Sequence, residues 1–314
     1  MGFTAIWLNP VLINDQKEWS YHGYATTDYY KVDPRFGSNK EYMTLAKSAS
    51  KEGVGMIMDI IVNHCGSEHS WMADPPFNDW INNLSDSYQG TNHRKETLLD
   101  PYASEIDRKI MVEGWFVPAM PDLNQRNAFM SKYLIQNSIW WIEYAELKGI
   151  RQDTYSYPFR SFMTDWTCAI MNEYPNFFIV GEEWIDDASM ISYWQKDKDN
   201  VDGYTSCLPS LMDFPLCFAL TKALTEEESW DKGLIQLYQS LTKDYLYADP
   251  SQLVIFPDNH DMKRIARKIL FHVATIAFDL ARTERETNAR DGAFSLSSCL
   301  AMIWACLTEI WCAS

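Results

Sequence analysis

Apolar residues in this chain gather in short runs that each end in polar, chemistry-bearing residues. Residues 2–9, 55–62, 149–153, 177–182, 204–212 and 253–257 have the length and the Ile, Val, Met and Phe content of buried strands. Between them, over residues 40–52, 128–147, 161–174 and 215–247, apolar residues recur at intervals of three and four. That spacing predicts helices, the last in two pieces. Strands alternating with helices predict a parallel sheet of βα units. From His64 to Asn124 the periodicity is lost and Pro, Asn, Asp and Trp accumulate (WMADPPFNDWINN, LLDPYAS, FVPAMPDLN), which predicts a long excursion after the second of these strands.

Composition narrows the picture. At 314 residues there is room for one barrel of roughly 250 residues plus an inserted subdomain. An apolar fraction of 46% excludes disorder, and a net charge of -16 argues against nucleic acid or an anionic membrane surface as partner. A neutral sugar is compatible with that charge, and 13 Trp residues suit sugar stacking. The longest apolar stretch near the C-terminus, residues 296–307, is too short for a membrane span, which needs about 20 residues. Met1 is followed at once by the strand-like FTAIWL, so no signal peptide is expected. Seven scattered cysteines (65, 168, 207, 217, 299, 306 and 312), without a C-x-x-C pair, read as reduced packing residues.

The chemistry sits where the apolar runs stop: DIIVNH (59–64), GIRQD (149–153), VGEEW (180–184) and FPDNHD (256–261). Arg151 and Asp153 are two apart, so both side chains leave one face of their strand, and a guanidinium beside a carboxylate favours its charged form. Glu182 and Glu183 face opposite ways by the same alternation. Taken singly, each segment reads as an ordinary strand end: a loop histidine at His64, a structural ion pair at Arg151 and Asp153. Four such segments in this order, at these spacings, are another matter.

Together they resemble the α-amylase family of glycoside hydrolases (family 13), over roughly residues 2–261. The resemblance implies a (β/α)8 barrel with the site at the C-terminal strand ends. It implies retaining hydrolysis, which needs a nucleophile and an acid/base about 5 to 5.5 Å apart. Asp153 matches the nucleophile, Glu182 the acid/base, and Asp261 the carboxylate that holds the sugar hydroxyls and distorts the ring. His64 and His260 match hydroxyl donors, Tyr24 a stacking platform with His22 beside it, and Trp184 a wall of the pocket; Asp59 and Asn63 read as structural. MPDLNQRN (120–127) and SCLPSLMDFPL (206–216) are most similar to neopullulanases and cyclomaltodextrinases, notably starch-utilisation enzymes of gut Bacteroidetes. The implied substrate is an α-glucan oligosaccharide, with no nucleic acid and no membrane as partner. The bond preference and the balance of hydrolysis against transglycosylation stay open. Full-length relatives of that kind are periplasmic; the compartment of this chain stays open.

Counted against the family, the chain supplies strands two to seven of an incomplete TIM barrel. Its expected parts are a barrel segment 1–64, a domain B insertion 65–125, a barrel segment 126–261 and a tail 262–314 that carries no family motif, as a shifted reading frame would produce. The alternative reading is therefore a truncated, inert fragment that at most binds maltooligosaccharides. No cofactor is required. Asn63 and Asp122 match positions that bind structural calcium in some relatives, although Tyr157 stands where a third ligand residue is usually His.

Overall fold

The computed structural model describes residues 2–14, 17, 21–84 and 88–269, and element order follows the alternation of runs. Five strands, β1 (Ala5–Leu8), β4 (Gly55–Ile60), β5 (Gly149–Gln152), β6 (Phe178–Gly181) and β7 (Ser210–Leu211), form one parallel sheet in that order. A further parallel bridge, Met212 to Val254, extends the order by one position, where the sequence predicts a sixth strand. A small antiparallel pair, β2 (Leu12–Ile13) and β3 (Asp28–Val32), follows β1.

Helices α1 (Asn39–Lys51), α3 (Ala128–Ala145) and α4 (Arg160–Glu173) fall within two residues of the predicted ends. Local chemistry sets where they begin. Ser38 and Glu41 form a reciprocal capping box at α1, and the Asn127 side chain accepts from the Phe129 and Met130 amides at α3. The buried face of α3 carries Met130, Leu134, Trp141, Ile142 and Ala145. Fully burying each such side chain stabilises by about 1.5–3 kcal/mol, which fixes the helices against the sheet and holds the strand ends in place.

Two compact units divide the described residues: the chain through Phe214 with Lys243–Val254, and Pro215–Thr242 with the residues from Ile255 onward. The second unit contains most of α6 (Phe214–Thr225) and all of α7 (Leu234–Leu241), the two pieces foreseen for residues 215–247. The described residues of the expected excursion, 65–84 and 88–125, are irregular apart from short 3₁₀ turns and one helix, α2 (Glu105–Glu113), that the pattern does not predict. No helix among the described residues is long and apolar enough to cross a membrane.

One expectation is overturned. Cys168 on α4 and Cys207 on the segment before β7 form a disulfide rather than two reduced thiols, because packing brings their Cα atoms to 5.0 Å, within bridging range. Cys65 and Cys217 are buried thiols outside that disulfide, as expected. Cys299, Cys306 and Cys312, and the tail from residue 270, lie outside the described residues.

Candidate active site

Register assembles the site. Asp59 on β4 pairs with Arg151 on β5, and the ladder continues so that Ile60, Gln152 and Gly181 lie in one row. Asp153 and Glu182, one residue beyond that row on adjacent strands, therefore emerge side by side. Gly181 is required just before Glu182, since a Cβ there would lie 2.9 Å from the Tyr155 ring and 3.0 Å from Leu208.

Arg151 is the hub. Its side chain is 0% exposed, and one guanidinium bonds three carboxylates: Asp59 Oδ1 at 2.9 Å and Asp153 Oδ1 at 2.7 Å through Nη1, and Glu182 Oε1 through Nη2. Asp153 and Glu182 are thus held within the span of a single guanidinium. Glu182 Oε2 also accepts from the Thr154 amide at 3.1 Å, and the Thr154 hydroxyl donates to Asp153 Oδ2 at 3.2 Å. Asp59 accepts further from the Tyr24 hydroxyl at 3.0 Å and the Trp7 indole at 3.1 Å. Three carboxyls around one cation leave a surplus of negative charge in a dry site. Burial pushes the Asp59 carboxyl up to about 7, against the opposing pull of Arg151.

Tyr24 is half-buried, its hydroxyl held inward on Asp59 and its ring 5.7 Å from the Arg151 guanidinium carbon. His22 Nδ1 accepts from the Tyr24 amide at 2.9 Å, so in the neutral imidazole the proton sits on Nε2, a donor for a hydroxyl. His64 is buried and stacked on Phe116 at 5.4 Å, and burial depresses it to about 3, so it is neutral at ordinary pH. Trp184 stacks on Phe214 at 4.9 Å. His260 and Asp261 fall in the second unit, their side chains 3.1 Å apart, and the Asp261 amide donates to Asn259 Oδ1.

The excursion closes one side. Cys65 and Ser67 amides donate to the Pro121 and Ala119 carbonyls, and His64 bridges Asp122. His93 meets the Tyr157 hydroxyl at 3.0 Å, and Lys95 reaches Glu183; neither residue carried a signal in the sequence. Asp122 is buried with Asn82 Nδ2 2.7 Å from its Oδ2, and burial lifts its carboxyl well above the usual range. Asn63 Oδ1 is buried without a hydrogen-bond partner among the described residues. These two oxygens fit an oxygen-seeking cation such as calcium, although no group of three His, Cys, Asp or Glu side chains among the described residues is placed to hold one.

Comparison with known proteins gives a family match. The model described as "Alpha amylase, catalytic domain" matches residues 1–276. A beta/alpha-amylase of Paenibacillus polymyxa is 29% identical over 268 residues, 84% of this chain and 20% of the relative. A cyclomaltodextrinase of Geobacillus thermopakistaniensis is 28% identical over 73% of this chain and 35% of its own length. Among solved structures, the Geobacillus thermoleovorans α-amylase complexed with acarbose superposes with a TM-score of 0.71 at 30% identity, covering 86% of this chain and 54% of that one. The chain thus spans between a fifth and about half of these relatives.

Proposed function

The chain belongs to the family of alpha-amylase catalytic domains, and on that premise we propose that it carries the site of a retaining hydrolase of α-glucosidic bonds in maltooligosaccharides, starch fragments or pullulan. The observation that supports this reading is the single buried guanidinium of Arg151 shared by Asp59, Asp153 and Glu182. In the proposed reaction the Asp153 carboxylate attacks the anomeric carbon while Glu182 gives its proton to the departing glycosidic oxygen. The resulting glycosyl ester is then opened by water, whose proton returns to Glu182. Tyr24 offers a ring to the apolar sugar face and His22 a donor beside it. His64, kept neutral by burial, donates to a hydroxyl without adding charge. Asp261 and His260, in the second unit, match in sequence the family's residues for sugar hydroxyls.

Calcium, where bound, would be held by Asn63 and Asp122 and would tie the excursion to the end of β4; no step of the reaction runs through it. The disulfide favours an oxidising compartment, in keeping with a periplasmic location.

A second reading, that residues 1–314 form part of a barrel completed elsewhere, is favoured by β1. Among the described residues it stands at the sheet edge, with Ile6 43% exposed and Phe3, two residues before the strand, 72% exposed, an apolar edge of the kind that folded proteins usually cover. The experiment for both readings measures maltooligosaccharide and pullulan hydrolysis by residues 1–314 and by their Asp153→Asn and Glu182→Gln variants. Each substitution should lower kcat by at least about 10²-fold with sugar binding retained. Near-normal turnover in either variant sinks the assignment. Robust turnover by residues 1–314 alone sinks the partial-barrel reading.

A further inference from the structure

Lys95 comes to the end of β6 from outside the sheet. It opens a 3₁₀ turn (Lys95–Leu98) of the irregular excursion, yet its side chain is only 10% exposed. Its ammonium lies 3.6 Å from Glu183 Oε1, donates to the Trp184 carbonyl at 3.2 Å, and sits 5.3 Å from the centroid of the Tyr157 ring. Glu183 is 1% exposed, and its second oxygen has no hydrogen-bond partner among the described residues. Each charge is costly to bury alone and tolerable beside the other.

Glu183 follows Glu182 in the chain, and Lys95 pairs with Glu183 and with the Trp184 carbonyl two residues past Glu182. Around this pair of glutamates stand Arg151 on β5, itself paired with Asp59 and Asp153, then Tyr157, on which Glu96 also acts, and Lys95 from the excursion. Docking the excursion on the Trp184 carbonyl therefore carries a positive charge toward the acid/base. An uncompensated cation there would favour the ionised form of Glu182 and remove the proton that the leaving oxygen needs. We propose that Glu183 is a positioning residue that neutralises Lys95, so that the excursion can lock onto the end of β6 without stripping the proton from Glu182. The inference rests on Glu182 as the acid/base. Burial alone would raise the Glu183 carboxyl, and Lys95 opposes that rise, as expected of a working pair.

The test follows the Glu182 carboxyl directly, by NMR titration of the full chain labelled with ¹³C-carboxyl glutamate and assigned with Glu182→Gln. In Glu183→Gln the Glu182 titration should move down by on the order of one pH unit, the size of shift that a change of one nearby charge produces. In Lys95→Met/Glu183→Gln it should return to the wild-type position, and Lys95→Arg should leave it there. Where turnover is measured, the alkaline limb of kcat/KM should follow the same shifts. An unmoved Glu182 in Glu183→Gln, or a shift that the double substitution does not reverse, overturns the inference. Absence of turnover in wild-type residues 1–314 overturns the hydrolase reading instead and leaves the titration readable.

Discussion

Replacing Arg151 with Met isolates the electrostatic core of the site. The guanidinium is fully buried and bonded to Asp59 at 2.9 and 3.2 Å, to Asp153 at 2.7 Å, and to Glu182. Met fills much of the stem volume and supplies no charge, so three carboxyls would remain around a hole in the field. Removing one partner of a buried ion pair costs about 3–5 kcal/mol. The pH dependence is more diagnostic. With Arg151 present, burial already holds the Asp59 carboxyl up at about 7, against an ordinary value of 3.8. A folded value above the unfolded one means that the stability from Asp59 is complete below about pH 4 and declines as pH rises toward about 7, where the decline stops. Without the guanidinium the hydrogen bonds from Tyr24 and Trp7 are left to oppose burial, the folded value climbs, and the decline continues above about pH 7 at up to about 1.4 kcal/mol per unit. The stability gap between wild type and Arg151→Met should therefore hold steady between about pH 5 and pH 6 and widen by about 1 kcal/mol by about pH 8. Urea unfolding followed by tryptophan fluorescence across that range reads both quantities. A gap under about 1 kcal/mol, or one that does not widen above neutrality, would refute the account of one cation balancing three carboxyls.

Two further tests bear on the scaffold. His64 is depressed from 6.5 to about 3 by burial, so the stability it confers is complete above about pH 6.5 and drains away as pH falls toward 3; in His64→Gln the loss of thermal midpoint on acidification should be visibly shallower, and an unchanged acid limb would mean that the ring gains water before the fold opens. The Cys168–Cys207 bridge closes a loop of sequence separation 39, worth up to about 4 kcal/mol by loop-closure entropy, so Cys168→Ala/Cys207→Ala should lower the urea midpoint, and dithiothreitol should do the same to the wild type and nothing to the variant.

What could be read from the sequence was whatever obeys a local period. Arg151 and Asp153 sit two apart on a strand and therefore share a face, and Glu183, one step from Glu182, turns away to Lys95 rather than to Arg151, as alternation requires. Helix α2 escaped because the excursion asks little of it: Met111 is its one buried residue, too few for a visible apolar stripe, and only the Ser104 cap on the Asp107 amide marked its start. The β2–β3 pair escaped for a similar reason, a two-residue strand carrying no period.

Adjacency across the chain was not legible at all. Cys168 and Cys207 looked unrelated in an odd, scattered set, and only the packing of α4 beside the segment before β7 makes them neighbours. Lys95 is one lysine in an aperiodic stretch, 88 positions from Glu183 by subtraction of their numbers, and nothing near it in sequence says that it is buried. The two cases share a cause. Strand ends advertise their chemistry because the sheet that positions them is itself written as apolar runs. A side chain delivered by an irregular segment is positioned by contacts such as Cys65 to Pro121, Ser67 to Ala119 and Lys95 to the Trp184 carbonyl, each of which exists only once the whole wall has folded.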